Sequence, residues 1–168
     1  ARPAPSADAS RILADAYVRG GQYANTNYGS ATELITKFSV DAVYLREAYM
    51  MLDISGIQSG QSVRLRLFGK LSDNRAPSVT TAIVPLSTTA WTESGVTWNN
   101  KPLAEAGTWA TVAVSGTTGK WYEVDITAQV QALRAAGNTS VGLALKGIAD
   151  TLPYATFTAR QTATAPQL

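Results

Sequence analysis

The side chains that can do chemistry in this chain are its cations and tyrosines, because the sequence contains no histidine and no cysteine. This composition removes the usual general base, the commonest transition-metal ligand, the thiolate nucleophile and any disulfide. It therefore argues against a hydrolase or a transition-metal enzyme. Among the cations, Arg46 lies where an apolar segment begins. A cation at such a place is either paired, here with Glu47 or a neighbouring strand, or available to an acidic ligand.

The overall charge is mildly basic. Fourteen Lys and Arg against twelve Asp and Glu give a net charge of +2, which is far from the strongly basic balance of a nucleic-acid-binding domain. The longest apolar runs fall well short of the ~20 residues that a membrane-spanning helix requires. We therefore expect neither nucleic acid nor a membrane as a partner, and local clusters of cations matter more than the total charge.

Alternation of apolar and polar residues predicts a series of short strands. The central one is segment 45–55, whose even-numbered positions from Ala48 to Ile54 share an apolar face. Its other face is apolar in the middle too, which is typical of a strand covered on both sides. One short helix, capped by Thr127 and stopped by Gly137, is expected after the seventh strand. The other predicted strands are residues 11–19, 33–38, 62–70, 80–86, 109–114, 120–126, 140–146 and 154–160.

Nine short strands, regular turn signals and one short helix predict an all-β fold, an antiparallel β-sandwich of jelly-roll type. Helices are too scarce for a parallel α/β sheet. A chain of 168 residues is long enough to form one domain with a two-layer core. We assign residues 1–10, which are rich in Pro, Ala and Ser, to a linker and residues 11–168 to the sandwich.

Two loops carry aromatic residues. Loop 20–30 holds Tyr23 and Tyr28 among turn-forming residues, so it is either functional or plugs one end of the sandwich. Tryptophans in a sandwich belong mostly to the core or its ends, which we expect here instead of a stacking platform. They are Trp91, Trp98, Trp109 and Trp121.

Oxygen ligands for a metal are sparse. Asp15, Asp125 and loop carbonyls could bind a structural calcium ion, because calcium prefers oxygen. No dense acidic loop accompanies them, and the sequence requires no cofactor.

The order and spacing of several segments carry a family resemblance from about residue 11 to the end of the chain. They are 15–19 (Asp-Ala-Tyr-Val-Arg), 27–29 (Asn-Tyr-Gly), 45–55, 91–93 (Trp-Thr-Glu) with 96–102, and 121–127 with Val130. Together they resemble the DNRLRE-type modules, which are similar to carbohydrate-binding module family 96. Such modules are attached to bacterial alginate lyases and related secreted polysaccharide enzymes.

This resemblance implies a non-catalytic β-sandwich that holds an acidic polysaccharide, alginate or a similar polyuronate. It further implies a secreted, extracellular protein in which the module works beside a catalytic domain of the same chain. We expect the module itself to be a monomer.

A polyuronate carries one carboxylate per sugar, so its receptor requires spaced cations, and Arg can grip a carboxylate through two parallel hydrogen bonds. Aromatic rings can stack on the sugars. Arg46 lies inside the segment that carries the resemblance, and Lys146 stands on a face of small residues that leaves room for a glycan. We predict the ligand-binding residues to be Lys37, Arg46, Tyr49, Lys146 and Arg160, with Arg19 added because it opens the tyrosine loop.

A second basic stripe is less favoured. Arg64, Arg66, Phe68 and Lys70 alternate with apolar residues, as polar positions do on any half-exposed strand. For every cation named, a solvated or salt-bridged surface residue is the simpler interpretation.

Two other function classes fit parts of the sequence. In a polysaccharide lyase, Tyr49 or Tyr23 would abstract a proton. Arg46 or Lys37 would then neutralise the sugar carboxylate, although the chain offers no histidine to share the acid and base roles. In a structural or adhesion module, the outer face around Lys146 and Arg160 would be fully paired with carboxylates and would lack any groove.

Overall fold

The computed structural model describes residues 9–105 and 107–168. Residues 1–8, which include most of the predicted linker, and Ala106 lie outside the described residues.

Within the described residues, nine antiparallel strands form two packed sheets. The eight strands from the second to the ninth have the spatial orders 2-9-4-7 and 3-8-5-6, which is the jelly-roll topology, and the first strand extends the second of these sheets beside the third. The predicted all-β sandwich is therefore confirmed. The strands are β1 (Ile12–Arg19), β2 (Glu33–Thr36), β3 (Arg46–Asp53), β4 (Arg64–Leu71), β5 (Val79–Pro85), β6 (Ala110–Val114), β7 (Lys120–Asp125), β8 (Ser140–Gly147) and β9 (Ala155–Thr158). The helix is α1 (Thr127–Ala135), and short 3₁₀ turns cover Ala9–Arg11, Gly21–Tyr23 and Ala42–Tyr44.

Strand β3 is central, as its sequence predicts, because it lies between β1 and β8 in the five-stranded sheet. Its inner face contributes Ala48, Met50 and Leu52 to the main core, and all three are fully buried. Its outer face is covered as well, since Tyr49 is only 1% exposed. Both faces of β3 are thus apolar because both meet other parts of the chain.

A β-bulge changes the faces of β1. The pairing with β3 shifts between Ile12 and Ala14, so the apolar row that starts at Ile12 does not stay on one side. Ile12 packs in the main core, whereas Ala14 and Val18 pack in a second cluster on the outer face. Beyond the bulge, Tyr17 faces the main core. One extra residue therefore exchanges the two faces of the strand.

Segment 86–104 covers the outer face of the five-stranded sheet. Leu86, Trp91 and Val96 pack there against Tyr49 and Ala144. The expectation of an open face of small residues around Lys146 is therefore wrong, because the small residues accommodate this segment of the chain itself. A Cβ atom on Gly142, for example, would lie 3.0 Å from the Leu86 side chain.

Thr127 does not cap α1, contrary to the sequence-based expectation. The helix begins after Ile126 without a side-chain cap. The Thr127 hydroxyl instead accepts a hydrogen bond from the backbone N–H of Val63 (2.8 Å), and the Asp125 carboxylate accepts one from the Thr127 N–H (2.9 Å). The helix ends before Gly137, whose φ of 90° suits glycine. Among the described residues, no helix has the length and apolarity needed to cross a bilayer.

The burial of β3 gives a stability prediction. Met50 is 0% exposed in the main core, so Met50→Ala should lower the free energy of unfolding by about 2–5 kcal/mol through lost burial and a residual cavity. Leu13→Ala is the matched control, because Leu13 is 46% exposed at the bulge, and it should stay within about 0.5 kcal/mol of wild type. Urea unfolding of both variants measures the difference. Equal losses would show that β3 does not organise the core.

Candidate ligand-binding site

The structure brings three of the six predicted site residues together in one row. Arg19 and Arg46 are directly opposite each other in the β1–β3 ladder. Lys37 pairs with Arg46 from the side away from β1. Their backbone N–H and C=O groups form two hydrogen bonds, of 2.9 and 3.0 Å. Directly opposed residues in a ladder have Cβ atoms about 4.5–5.5 Å apart. We call Arg19, Arg46 and Lys37 the basic row.

The row forms at a corner of the sandwich. Chain segment 38–45 connects β2 in one sheet to β3 in the other, and Lys37 and Arg46 close this connection. Arg19 is the last residue of β1 and Arg46 the first of β3. The cations are therefore at strand ends, where the core gives way to solvent, and all three are half-buried.

The two arginines of the row have no counter-ion in the described part of the chain. Neither guanidinium forms a hydrogen bond or an ion pair with any described residue, and both Nε atoms are buried without a partner. Aromatic rings hold the guanidiniums instead. The Tyr23 ring centroid is 3.8 Å from Cζ of Arg19, and the Tyr154 ring centroid is 5.1 Å from Cζ of Arg46. Such contacts position a cation without neutralising it.

Lys37 is anchored differently. Its ammonium group donates to the backbone carbonyls of Thr151 and Leu152, which satisfy hydrogen bonds but carry no net charge. No carboxylate of the described residues lies within salt-bridge distance of it. The row therefore keeps three positive charges.

The pKa shifts at the row have a common cause. Burial lowers the pKa of the Arg46 guanidinium, and the charge of Arg19 lowers it further. Burial also lowers the pKa of Lys37, where Arg46 adds to the effect and Asp150 opposes it. Burial raises the pKa of the neighbouring Tyr17 hydroxyl, an effect that both arginines oppose. Burial of like charges close together raises the free energy of the folded protein, and a bound anion would lower it again.

Lys146 and Tyr49 lie elsewhere, so the structure does not bring them together with the basic row. They share Glu47 on the covered outer face of the five-stranded sheet. The Tyr49 hydroxyl donates to Glu47 Oε2 (2.5 Å), and Lys146 Nζ is 3.7 Å from the same oxygen. Lys101 Nζ binds Glu47 Oε1 at 3.1 Å. Burial, followed by the charge of Glu47, strongly raises the pKa of Tyr49.

Arg160 is also committed to a carboxylate. Its guanidinium grips Glu93 through two hydrogen bonds of 2.5 and 2.7 Å, and its backbone N–H donates to Asp15 Oδ2 (2.8 Å). Glu93 Oε1 in turn accepts from the backbone N–H of Asp15 (3.1 Å). Arg160 therefore ties the end of β9 to β1, and it is not part of the basic row.

The second basic stripe on β4 is largely paired. Arg66 and Arg64 lie 3.0 and 3.5 Å from Glu123, which is opposite Arg66 on β7. Arg66 also stacks over Trp121, with its Cζ 4.4 Å from the ring centroid. The simpler interpretation of a salt-bridged strand surface thus fits Arg64 and Arg66. Lys70, in contrast, has no partner among the described residues.

Most of the aromatic residues have structural roles. Tyr28 of loop 20–30 stacks on Tyr17 with a centroid separation of 4.6 Å, so it closes the end of the core. Trp91 packs near Tyr49, and Trp98 lies 3.4 Å beneath the ammonium of Lys101. Tyr23, in the same loop as Tyr28, instead contacts the basic row. The structure therefore supports the plugging role for Tyr28, and a functional role of the loop stays a prediction.

The two aspartates considered for calcium are on different sheets. Asp15 belongs to β1 and Asp125 to β7. Within residues 9–105 and 107–168, no three acidic side chains are close enough to form a metal site. Calcium binding through these two carboxylates and loop carbonyls stays a prediction.

A separate cleft lies away from the basic row. It is about 860 Å³ in volume and runs between α1 and segment 85–89, with Trp109, Glu105 and Gln129 among its lining residues. Its lining contains no Lys or Arg, so its charge does not suit an anionic ligand. The basic row is the better candidate for an acidic ligand.

Sequence analysis missed Tyr154 as a neighbour of the row. Tyr154 precedes β9, and it meets Arg46 because β9 pairs with β2 next to the corner. A tyrosine at the start of a strand is visible in the sequence, but the pairing of two strands more than 100 residues apart is not.

Comparisons with known proteins identify a family and a relative that this chain resembles. The model of carbohydrate-binding module family 96 matches residues 7–168. A gellan lyase from Bacillus sp. is 25% identical to the chain over 127 residues. That match covers 73% of this chain but only 5% of the lyase, so the chain corresponds to a small part of that protein.

The buried Asp15 gives a prediction for pH dependence. Burial raises the pKa of this carboxyl from 3.8 to about 7, against a lowering by the Arg160 N–H and a further increase from Glu93. Between these two pH values the folded state binds more protons than the unfolded state. The free energy of unfolding should therefore decrease as pH rises from about 4 to about 8, by about 4 kcal/mol for this group.

Urea unfolding at several pH values measures this effect as the difference between wild type and Asp15→Asn. Asp125→Asn is the control, because hydrogen bonds from Thr127 lower the pKa of Asp125. Its stabilising contribution is lost only as pH falls through that lowered value. Parallel stability curves for wild type and Asp15→Asn between pH 4 and 8 would contradict the prediction.

Proposed function

The chain belongs to carbohydrate-binding module family 96, and we propose that its basic row binds the carboxylates of an acidic polysaccharide. The observation that carries this proposal is the pair Arg19 and Arg46. They are adjacent, half-buried and without a counter-ion among the described residues. An anionic sugar would supply the missing charge.

The chemistry of the row favours a carboxylate. A guanidinium offers a planar set of donors that matches the two oxygens of a carboxylate, while Lys37 adds a point charge. The rings of Tyr23 and Tyr154 flank the arginines and offer apolar surface to the faces of sugar rings. Alginate or a similar polyuronate is the ligand class that we propose. The name of the gellan lyase relative supports gellan as a second polymer to test.

We further propose that the module is not itself an enzyme. Tyr49, one base considered for a lyase, is buried, bound to Glu47 and has a raised pKa, all of which oppose proton abstraction from a substrate. Tyr23, the other base considered, lies beside Arg19, and its hydroxyl has no hydrogen-bond partner among the described residues that could take up a proton. Products absorbing in the ultraviolet after incubation with alginate would overturn this part of the proposal.

The setting of the module is also proposed from its family. We propose that the protein acts outside the cell as a monomeric module beside a catalytic domain of the same chain. The ion pairs of Lys146 with Glu47 and of Arg160 with Glu93 are what a structural or adhesive module would show. The arginines of the row, which have no carboxylate partner among the described residues, favour ligand binding instead.

Arginine substitutions in the row test the proposed site. Arg46→Ala should weaken binding of alginate oligosaccharides at least 10-fold, because hydrogen bonds to a charged group are worth about 1.5–3 kcal/mol. The double variant Arg19→Ala/Arg46→Ala should abolish binding. Arg46→Lys should recover only part of the affinity, since lysine keeps the charge but not the two-pronged geometry. Isothermal titration measures these changes.

Matched controls separate binding from folding. Arg75→Ala removes an exposed arginine that is bound to Asp73 on a surface turn, and Lys146→Ala removes a cation bound to Glu47. Neither should change affinity by more than about 2-fold. The thermal midpoint of Arg46→Ala should equal or exceed that of wild type, because the substitution relieves repulsion between desolvated charges. Unchanged affinity in Arg46→Ala would contradict the proposal.

Salt provides an independent prediction. Salt screens contacts between partly exposed charges, with a Debye length of about 8 Å at 0.15 M ionic strength. The affinity for alginate should therefore fall steadily between 0.05 and 0.5 M NaCl. Retardation in affinity gels measures this change. In gels that contain a neutral glucan, the protein should show no salt-sensitive retardation. Salt-independent alginate binding would exclude the basic row as the main contact.

A further inference from the structure

A small pocket lies on the outer face of the four-stranded sheet, away from the basic row. It has a volume of about 130 Å³ and is formed by β2, β9, β4 and the residue before β7. This volume is below the 300–1,000 Å³ of sites for drug-sized ligands, so it suits one small ring-shaped unit. The side chains that matter below are Glu33, Phe68, Lys70, Thr156 and Thr158, and the backbone of Gly119 completes the wall.

Thr156 lines this pocket and has an unsatisfied hydroxyl. The residue is 5% exposed, and its Oγ1 atom is buried without a hydrogen-bond partner. Its neighbour Thr158 differs, because the Thr158 hydroxyl donates to the carbonyl of Thr164 (2.5 Å). A buried hydroxyl that forms no hydrogen bond is uncommon in folded proteins. A ligand with its own hydroxyl groups would satisfy it.

Phe68 provides a rigid apolar surface beside that hydroxyl. Its ring meets Trp121 edge to face at a centroid distance of 5.4 Å. It also lies against Gly119, where an added Cβ would be only 2.4 Å from the ring. Glycine at this position therefore allows the ring to occupy its place. An aromatic ring held in this way is suited to contact the apolar face of a sugar.

Two charged side chains flank the pocket. Glu33 and Lys70 line it from β2 and β4, and neither side chain forms an ion pair or a hydrogen bond with any described residue. A carboxylate accepts hydrogen bonds from hydroxyls, and an ammonium group donates to them. The carboxylate of Glu33 repels a uronate. This combination of groups favours a ligand that has many hydroxyls and no charge.

We propose that this pocket is a subsite for one neutral sugar ring. Phe68 contacts the face of the ring, Thr156 and Lys70 donate to its hydroxyls, and Glu33 accepts from them. Glu33 begins β2 and Lys37 follows its last residue, a separation of about 13 Å at the rise of an extended chain. A glycan that reaches from the basic row to the pocket would thus carry both acidic and neutral units. The subsite itself does not depend on the proposed role of the row.

Amide chemical shifts of the ¹⁵N-labelled chain test the subsite. D-glucose, D-galactose, D-mannose and L-rhamnose are titrated separately, with D-glucuronate as the charged counterpart. At least one neutral sugar should shift the amides of Gly69, Gly119 and Thr156 in a saturable manner, with D-glucuronate at least 10-fold weaker. Thr156→Val, which removes only the hydroxyl, should reduce the affinity of that sugar at least 5-fold, whereas Thr156→Ser should retain it.

Glu33→Gln distinguishes charge exclusion from poor fit. This substitution should bring the affinity for D-glucuronate to within about 3-fold of the affinity for the neutral sugar. Thermal melts of all variants show whether the sheet remains folded. The double variant Arg19→Ala/Arg46→Ala should leave the pocket shifts intact, so that failure of the row and failure of the pocket are separate outcomes. If no neutral sugar shifts these amides, or if Thr156→Val binds as wild type does, the subsite is overturned.

Discussion

The pairing of β1 with β3 is the constraint on which the site depends. A strand presents alternate residues to opposite faces, so a shift of one position exchanges them. The bulge between Ile12 and Ala14 makes that exchange, and it brings Arg19 opposite Arg46. Without the extra residue, Val18 would occupy that place and Arg19 would point to the other face. The positive charge at the corner therefore results from an irregularity in a strand, not from the arginines alone.

Carboxylates decide which cations have structural roles. Glu47 is shared by Lys101 and Lys146, and Glu93 holds Arg160. These pairs join distant segments to the sheets. At the basic row the neighbouring groups are aromatic rings and backbone carbonyls, which orient cations without cancelling their charge. Lys and Arg side chains thus join segments through ion pairs in one place, and at the basic row they keep a charge that could bind a ligand.

The sequence predicted the fold better than the site, for a physical reason. Period-two alternation and turn residues are local, so the strands and the jelly-roll class could be inferred from them. Site residues depend on pairings between distant strands. The sequence shows that Arg46 begins a buried strand, but nothing local shows that segment 86–104 covers the face of Lys146 and Tyr49. The unsatisfied hydroxyl of Thr156 has no sequence signal at all.

The contact between Glu93 and β1 has a consequence for self-association. Strand β1 is at the edge of its sheet, where free backbone amides can recruit a strand from another molecule. The carboxylate of Glu93 occupies the N–H of Asp15, and the bulge makes the edge irregular near its start. Both features disfavour the pairing of this edge with a strand of another molecule. The Glu93 side chain, which binds Arg160, therefore also opposes aggregation of the domain.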